Sequence, residues 1–234
     1  MVSKQKIPAV PFFSPNLSLF DKCVTVPQGS KVVHFIRHGK AAHNEAFDIE
    51  GTNSYYDEKY FDSRLTQLGV SQAQALERKL SSSPIPMEVV IVSPLSRTLQ
   101  TAFHLFPKGI HNTPPLVAIE TCRERFGVYP CDRRRQRSII SKEFPRVDFS
   151  EISEDDRLWT MERETQDQLE SRGRDFVLKT LMQRKEKFIV VVSHASFLVT
   201  LFNSVLDCPR EYQGTFENCE LRSMVLDFRS FQRN

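Results

Sequence analysis

Residues 31–44 read KVVHFIRHGKAAHN, and this stretch is the first indication of the fold. Its apolar, largely β-branched part, residues 32–36, ends abruptly at Arg37, His38 and Gly39. An apolar run of this length that stops at a breaker is typical of a buried strand in a parallel sheet. Ligands of open α/β sheets bind just beyond the carboxyl ends of such strands. A cation, an imidazole and a glycine there favour an anion site, with a functionless basic loop as the alternative.

The composition is that of an ordinary globular protein. The chain has 234 residues, of which 40% are hydrophobic and 26% charged, with a net charge of +3. This charge is too small to indicate a nucleic-acid partner. The five cysteines are widely spaced and form no CxxC pair, which is typical of reduced thiols in a cytosolic compartment. Without a long apolar run or a leader-like N-terminus, we expect a cytoplasmic protein with no membrane partner.

Apolar runs alternate with segments of helical periodicity along most of the chain. The predicted strands lie at residues 32–36, 87–92, 116–119 and 187–192, with an edge strand at 220–228. The predicted helices lie at 66–80 with Thr66 as N-cap, 93–106 with Ser93 as N-cap and Pro94 after it, 164–184 and 195–205. This alternation predicts a three-layer α/β/α fold: a mainly parallel sheet with helices on both faces.

Two segments do not follow this alternation of strands and helices. Residues 1–30 contain Pro8, Pro11, Pro15 and Pro27, a density that discourages regular structure, so we expect an extended arm packed on the domain. Residues 31–234 then form one domain, with an insertion at about 125–160 over the face of the sheet. The polar and aromatic residues 40–62 are predicted to be a loop that rims the site.

Four of the predicted strands run into reactive side chains. In chain order these are Arg37 with His38, Arg97, Glu124 and His194. Since the carboxyl ends of parallel strands lie along one edge of a sheet, we expect these groups to share one crevice. Each has a structural explanation when taken alone, as a solvated arginine or a hydrogen-bonded histidine. Four at equivalent positions favour a site.

The chemistry that this set suits is phosphoryl transfer. Two guanidinium groups are fixed donors for the negative oxygens of a phosphoryl group. A neutral imidazole attacks phosphorus, and Gly39 allows a close approach of the backbone. A carboxylic acid, Glu124, gives the leaving alkoxide its proton. No Asp and His cluster has metal-ligand spacing, so we expect neither a metal nor another cofactor.

Five ordered motifs carry a resemblance to a known family. They are Arg37-His38-Gly39 with Asn44, Leu65-Thr66-x-x-Gly69-x-x-Gln72-Ala73, Ser93-Pro94-x-x-Arg97-Thr98, Arg123-Glu124-x-x-Gly127 and Val192-Ser193-His194. Together they resemble the histidine phosphatase superfamily, which is phosphoglycerate-mutase-like in fold. The insertion is similar to a plant and fungal subgroup, and Ala41 stands where the superfamily usually has threonine.

The resemblance implies a role for each matching residue. His38 becomes the phosphorylated nucleophile and Glu124 the proton donor. Phosphoryl binding falls to Arg37, Arg97 and His194, with help from Asn44. Cys122 and Cys131 flank the acid as redox switches or, in the reading we favour, as packing residues.

Three functions stay open at this point. The leading hypothesis is a metal-independent phosphatase that hydrolyses a small phosphorylated metabolite through a phosphohistidine. A second anion on that metabolite would suit Arg133, Arg134 and Arg135, unless these are simply solvated. The alternatives are a phosphoglycerate mutase and a catalytically silent binding domain. The sequence indicates neither the substrate nor the oligomeric state.

Overall fold

The computed structural model describes residues 5–12, 26–107 and 113–231 of the chain. The strands in this part are β1 (Ile7–Pro11), β2 (Ser30–Arg37), β3 (Val89–Val92), β4 (Leu116–Ala118), β5 (Val147–Asp148), β6 (Phe188–Ser193), β7 (Leu206–Asp207) and β8 (Leu221–Asp227). The α-helices are α1 (Ala42–Glu50), α2 (Gln67–Ser82), α3 (Ser96–Leu105), α4 (Arg137–Glu143), α5 (Gln166–Asp175) and α6 (Ala195–Thr200). Both α5 and α6 continue as π-helical turns, through Leu181 and Val205 respectively.

The strands form one mixed sheet in the order β5-β4-β3-β6-β2-β8-β1-β7. Strands β5, β4, β3, β6 and β2 are parallel neighbours, and β8 pairs antiparallel with β2. The carboxyl ends of β2, β3, β4 and β6 therefore lie at one edge, as the sequence predicts. The chain segments that leave these ends position the candidate site.

Helices cover both faces of the sheet. Along β3, Val89 and Ile91 belong to one buried apolar cluster, whereas Val90 and Val92 belong to a second. The first cluster includes side chains of α5 and α6, and the second includes side chains of α2, α3 and α4. Strands buried on both faces have this continuous apolar character because side chains alternate across the sheet. The predicted three-layer α/β/α fold is confirmed.

The strand predicted at residues 220–228 is confirmed as β8, but its predicted position at the edge is wrong, because β8 lies between β2 and β1. The strand beyond it comes from the segment expected to be an extended arm. Ile7 and Ala9 are buried in the sheet while their neighbours point outward. This alternating burial stabilises β1 as a strand despite its two prolines, because each proline lacks only one backbone N–H donor. The predicted arm comprises residues 1–30, of which the structure describes 5–12 and 26–30. The remainder, residues 1–4 and 13–25, lies outside the described residues.

The two predicted N-caps have different outcomes. The Thr66 hydroxyl accepts the Gly69 N–H and caps α2, which confirms the first. Ser93 does not cap α3, since that helix begins at Ser96. The first turn of α3 is bound instead by a carboxylate from a distant loop. Asp62 accepts hydrogen bonds from the Ser96 backbone N–H at 2.8 Å and from the Ser96 hydroxyl at 2.6 Å. Ser93 is thereby left for the site described below.

The segments predicted to be irregular contain regular elements. Residues 42–50 of the expected rim loop form α1, whose buried side chains are those of His43 and Ala46 only. So narrow an apolar face gives almost no periodicity to detect. The insertion at about 125–160 includes α4 and extends the sheet through β5, which is parallel to β4. Across the part of the chain that the structure describes, no helix is long and apolar enough to cross a membrane.

Candidate active site

His38 follows directly from β2 and is almost fully buried. Its Nδ1 lies 2.7 Å from the carbonyl oxygen of Gly39. A carbonyl oxygen only accepts hydrogen bonds, so Nδ1 carries the proton of the neutral ring. The lone pair is therefore on Nε2, which is the arrangement that a nucleophilic imidazole requires.

Arg97 and His194 lie against this nitrogen. The Arg97 Nε–H is shared between His38 Nε2 at 3.3 Å and His194 Nδ1 at 3.2 Å. Since Nδ1 of His194 accepts, its Nε2–H donates to the Ser93 hydroxyl, 2.7 Å away. The ring centroids of His38 and His194 are 5.1 Å apart. The structure thus brings together three residues that are far apart in the sequence.

Both imidazoles are held in the neutral form. Burial lowers the pKa of His38 well below its usual value, and the charges of Arg97 and Arg37 lower it further. The pKa of His194 is lowered in the same way, first by burial and then by Arg97. A neutral ring keeps the Nε2 lone pair of His38 available at ordinary pH.

A cavity of about 120 Å³ opens at this edge of the sheet. Its walls are Arg37, His38, His43, Asn44, Tyr55, Glu124, Cys131, Asp132, Arg163, Ala195 and Ser196. Four of the predicted site residues are in this set. The other two, Arg97 and His194, are fully buried next to His38 and do not line the cavity.

Arg37 contributes a largely buried guanidinium group to the cavity wall. Its Nη1 donates to the Phe216 carbonyl oxygen at 2.6 Å. Its Nε is buried and has no hydrogen-bond partner among the described residues. Burial lowers the pKa of Arg37, while Glu124 acts to raise it. The group still carries its charge at ordinary pH and has a donor unused beside the cavity.

Glu124 is held by backbone groups of α6 and of its own loop. Its Oε2 accepts the Ser196 N–H at 3.1 Å, and its Oε1 accepts the Phe197 N–H at 3.2 Å. The Arg125 N–H, 2.9 Å away, also donates to Oε1. These bonds fix the carboxyl group in the wall of the cavity that His38 also lines.

Asp132, to which the sequence assigns no role, fixes the position of Arg97. Its Oδ1 accepts from Arg97 Nη2 at 2.9 Å, and its Oδ2 accepts from Arg163 Nη1 at 3.0 Å. Arg97 Nη1 donates to the Cys131 carbonyl oxygen at 2.5 Å. All three nitrogens of Arg97 are therefore engaged with protein atoms. In this stretch the sequence shows a basic cluster, an acidic patch and the likeness to the plant and fungal subgroup, and none of these assigns a role to Asp132.

The expectation that Arg133, Arg134 and Arg135 bind a second anion is wrong. Arg134 is buried and pairs with Glu120 at 2.9 Å. Arg135 pairs with Asp62 at 2.7 Å, and Arg133 stacks between the Phe61 and Trp159 rings. None of the three lines the cavity. A run of arginines is easily mistaken for a binding site when its acidic partners are distant in sequence.

Gly39 and Gly69 allow a close contact between two backbone segments. A Cβ atom at Gly39 would lie 2.5 Å from the Gly69 carbonyl oxygen, and one at Gly69 would lie 2.1 Å from the Lys40 carbonyl oxygen. The two glycines therefore let the loop after β2 pack directly on the first turn of α2. The absence of both side chains makes this approach of two backbones possible, and a close approach of a ligand to the Gly39 backbone stays a prediction.

The described residues contain no group of three or more His, Cys, Asp or Glu side chains that could hold a metal ion. Burial raises the pKa of the Cys122 thiol and of the Cys131 thiol far above the usual value. Both thiols therefore stay protonated and unreactive, in agreement with a packing role.

The fold and this site define a class: a three-layer α/β protein with a buried, neutral histidine and guanidinium groups at the carboxyl edge of its sheet. Comparison with known proteins agrees. Residues 33–232 match the model of the histidine phosphatase superfamily (branch 1). The chain is 39% identical to phosphoglycerate mutase-like protein 1 of Arabidopsis thaliana, over 86% of this chain and 82% of that protein.

Two further likenesses point the same way. A phosphoglycerate mutase-like protein of the same plant is 37% identical, over 84% of each chain. The crystal structure of a putative α-ribazole-5′-phosphate phosphatase from Escherichia coli shares the fold, with a TM-score of 0.57 and 18% identity over 83% of this chain and 90% of that one. The chain belongs to the histidine phosphatase superfamily, whose members are phosphatases and mutases.

Proposed function

We propose that the protein is a metal-independent phosphatase that hydrolyses a small phosphorylated metabolite through a phosphohistidine at His38. The observation that carries the proposal is the orientation of His38, with its proton fixed on Nδ1 and its Nε2 lone pair beside Arg97. The unpartnered Nε of Arg37, a residue of the cavity wall, supports it, because a buried donor of this kind suits an anionic oxygen.

In the first step, His38 Nε2 attacks phosphorus and the ester P–O bond breaks. Its electron pair leaves on the alkoxide oxygen, which takes a proton from the Glu124 carboxyl group. The Gly39 carbonyl oxygen stabilises the positive charge that develops on the ring. We assign phosphoryl binding to Arg37, which lines the cavity, and to Arg97 and His194, which lie against the His38 ring, with help from Asn44 at the cavity wall.

In the second step, water attacks phosphorus while the Glu124 carboxylate accepts a proton from it. The P–N bond breaks, its electron pair returns to Nε2, and orthophosphate leaves. Glu124 is then protonated again, so one cycle consumes one ester and one water molecule. The step requires no metal ion and no other cofactor.

The space next to the cavity supports a small polar leaving group. A groove of about 410 Å³ shares Ala195 and Ser196 with the cavity wall. Hydroxyl and amide side chains line much of it: Gln166, Ser196, Thr200, Asn203 and Ser204. Such groups hydrogen-bond the hydroxyls of a polar metabolite.

The test is release of orthophosphate from 4-nitrophenyl phosphate and from a panel of phosphorylated metabolites. We expect release by the wild-type chain and none above background by His38→Ala. His104→Ala is the matched control, because His104 lies on α3 and does not line the cavity. Isomerisation of phosphoglycerate without release of orthophosphate would instead establish a mutase. Unchanged release by His38→Ala would refute the proposal.

A further inference from the structure

His43 lies beside the nucleophile, and the function proposed above gives it no role. It is the second residue of α1 and is 5% exposed. Its ring lines the same cavity, with its centroid 6.2 Å from that of His38 and 5.7 Å from that of Tyr55. It is therefore within reach of a phosphoryl group carried on His38.

Hydrogen bonds to Asn44 determine which nitrogen of His43 carries the proton. The Ala41 backbone N–H can only donate, and it donates to Asn44 Oδ1 at 3.1 Å. The amide nitrogen of Asn44 therefore faces the other way, and Nδ2 lies 3.0 Å from His43 Nε2. An amide nitrogen can only donate, so Nε2 accepts and the proton of the neutral ring is on Nδ1.

The resulting Nδ1–H group has no hydrogen-bond partner. Four buried side-chain nitrogen or oxygen atoms are unpartnered in the described part of the chain, and two of them, Arg37 Nε and His43 Nδ1, belong to the walls of this cavity. An unmade hydrogen bond of a buried donor is unfavourable, so such groups call for an explanation. Two of them at one small cavity fit a ligand that is rich in acceptor oxygens.

The charge state of the ring agrees with this role. Burial lowers the pKa of His43 well below its usual value, and the charges of Arg97 and Arg37 lower it further. His43 is thus a neutral donor in a site that already has two guanidinium groups. A neutral donor adds a directed hydrogen bond without adding further repulsion between buried cations.

We propose that His43 donates its Nδ1–H to a non-bridging oxygen of the phosphoryl group bound at His38, and that Asn44 is the positioning residue that fixes this tautomer. The proposal rests on phosphoryl binding at His38. It assigns Asn44 an action through His43, since the Asn44 amide nitrogen donates to His43 while its amide oxygen accepts from the Ala41 backbone.

Two substitutions separate this role from a purely structural one. In His43→Asn, the amide nitrogen occupies the position of Nδ1 and keeps a donor towards the cavity. In His43→Gln, the amide group reaches the position of Nε2, so it keeps the acceptor for Asn44 but loses the donor at Nδ1. The measured quantities are the inhibition constant of orthophosphate and kcat/KM for 4-nitrophenyl phosphate.

We expect His43→Gln to weaken orthophosphate binding about 10- to 100-fold, the range for one hydrogen bond to a charged acceptor. His43→Asn should recover most of that loss, and His104→Asn is the control for an unrelated imidazole. The opposite order, with glutamine better than asparagine, would show that His43 acts only by holding Asn44. Wild-type values for both variants would also overturn the proposal.

If both variants lose binding equally, the nitrogen-15 NMR spectrum of histidine-labelled wild-type protein decides. We expect a protonated Nδ1 at His43 and a shift of its proton signal when orthophosphate is added. A protonated Nε2, or no response at Nδ1, would overturn the proposal. A response at Nδ1 in a protein that hydrolyses no phosphomonoester would refute the proposed function and leave this inference intact.

Discussion

Replacing Asp132 by alanine removes the carboxylate that joins two guanidinium groups at the cavity wall. The Asp132 side chain is 5% exposed, its partner Arg97 is 0% exposed, and its partner Arg163 is 26% exposed. Arg97 would retain the Cys131 carbonyl oxygen and the two imidazole nitrogens as acceptors. Its Nη2, which donates to Asp132 at 2.9 Å, would lose that partner in a site with little access to water.

The size of the effect follows from this burial. Removal of one partner of a buried ion pair costs about 3–5 kcal/mol, because the other charge is left without compensation. Arg163 is partly exposed and recovers hydration, so we expect the lower end, about 3 kcal/mol for Asp132→Ala. Asp132→Asn keeps an acceptor for Arg97 and loses the charge, so we expect about 1–2 kcal/mol.

The assay is urea unfolding at pH 7, with unchanged dependence on urea concentration as the check that both variants unfold in one step. Asp175→Ala is the control, because its ion pair with Lys179 is solvent-exposed and contributes about 0.3–0.5 kcal/mol. A loss for Asp132→Ala no larger than that control would refute the view that Asp132 fixes the guanidinium of Arg97.

Three further predictions concern the proposed acid Glu124, the backbone contact between Gly69 and Lys40, and the ion pair between Asp156 and Arg123. Glu124→Gln should lower kcat/KM for alkyl phosphates about 100- to 10,000-fold, and less for 4-nitrophenyl phosphate, whose leaving group needs no proton; equal losses would contradict the acid role. Gly69→Ala puts Cβ 2.1 Å from the Lys40 carbonyl oxygen, so urea unfolding should show a loss of about 2–3 kcal/mol. Burial acts to raise the pKa of Asp156, but Arg123 lowers it from 3.8 to about 2. The contribution of the Asp156 carboxylate to the free energy of unfolding is therefore complete above pH 3.8 and is lost as the pH falls through about 2. The difference in unfolding free energy between wild type and Asp156→Asn, on the order of 2 kcal/mol, should therefore be constant at neutral pH and shrink below pH 4.

The parts of the fold that the sequence predicted well are those in which apolar periodicity is strong. Strands β2, β3 and β6 are buried on both faces, and their continuous apolar runs are visible in the sequence. The parts predicted wrongly depend on contacts that periodicity does not encode. Helix α1 has only two buried side chains, and β1 needed a strand from the far end of the chain as its partner.

The candidate site likewise contains residues that the sequence predicted and residues that only the structure shows. Short motifs after strand ends were enough to predict that His38, Arg97 and His194 lie close together, because a parallel sheet aligns those ends. Asp132 could not be found this way, since its importance comes from two guanidinium groups that are 35 and 31 residues away. The role inferred for His43 depends on which way the Asn44 amide faces, and only hydrogen-bond geometry shows that.

In the proposed reaction the phosphoryl group passes through Nε2 of His38, and covalent labelling detects that intermediate. The protein is mixed briefly with a phosphorus-32-labelled phosphomonoester, quenched in base and digested, and the labelled peptide is identified. We predict a label that is stable in base and labile in acid, on the peptide containing His38, present in His104→Ala and absent in His38→Ala. Label on a different residue, or continued release of orthophosphate by His38→Ala, would contradict the claim.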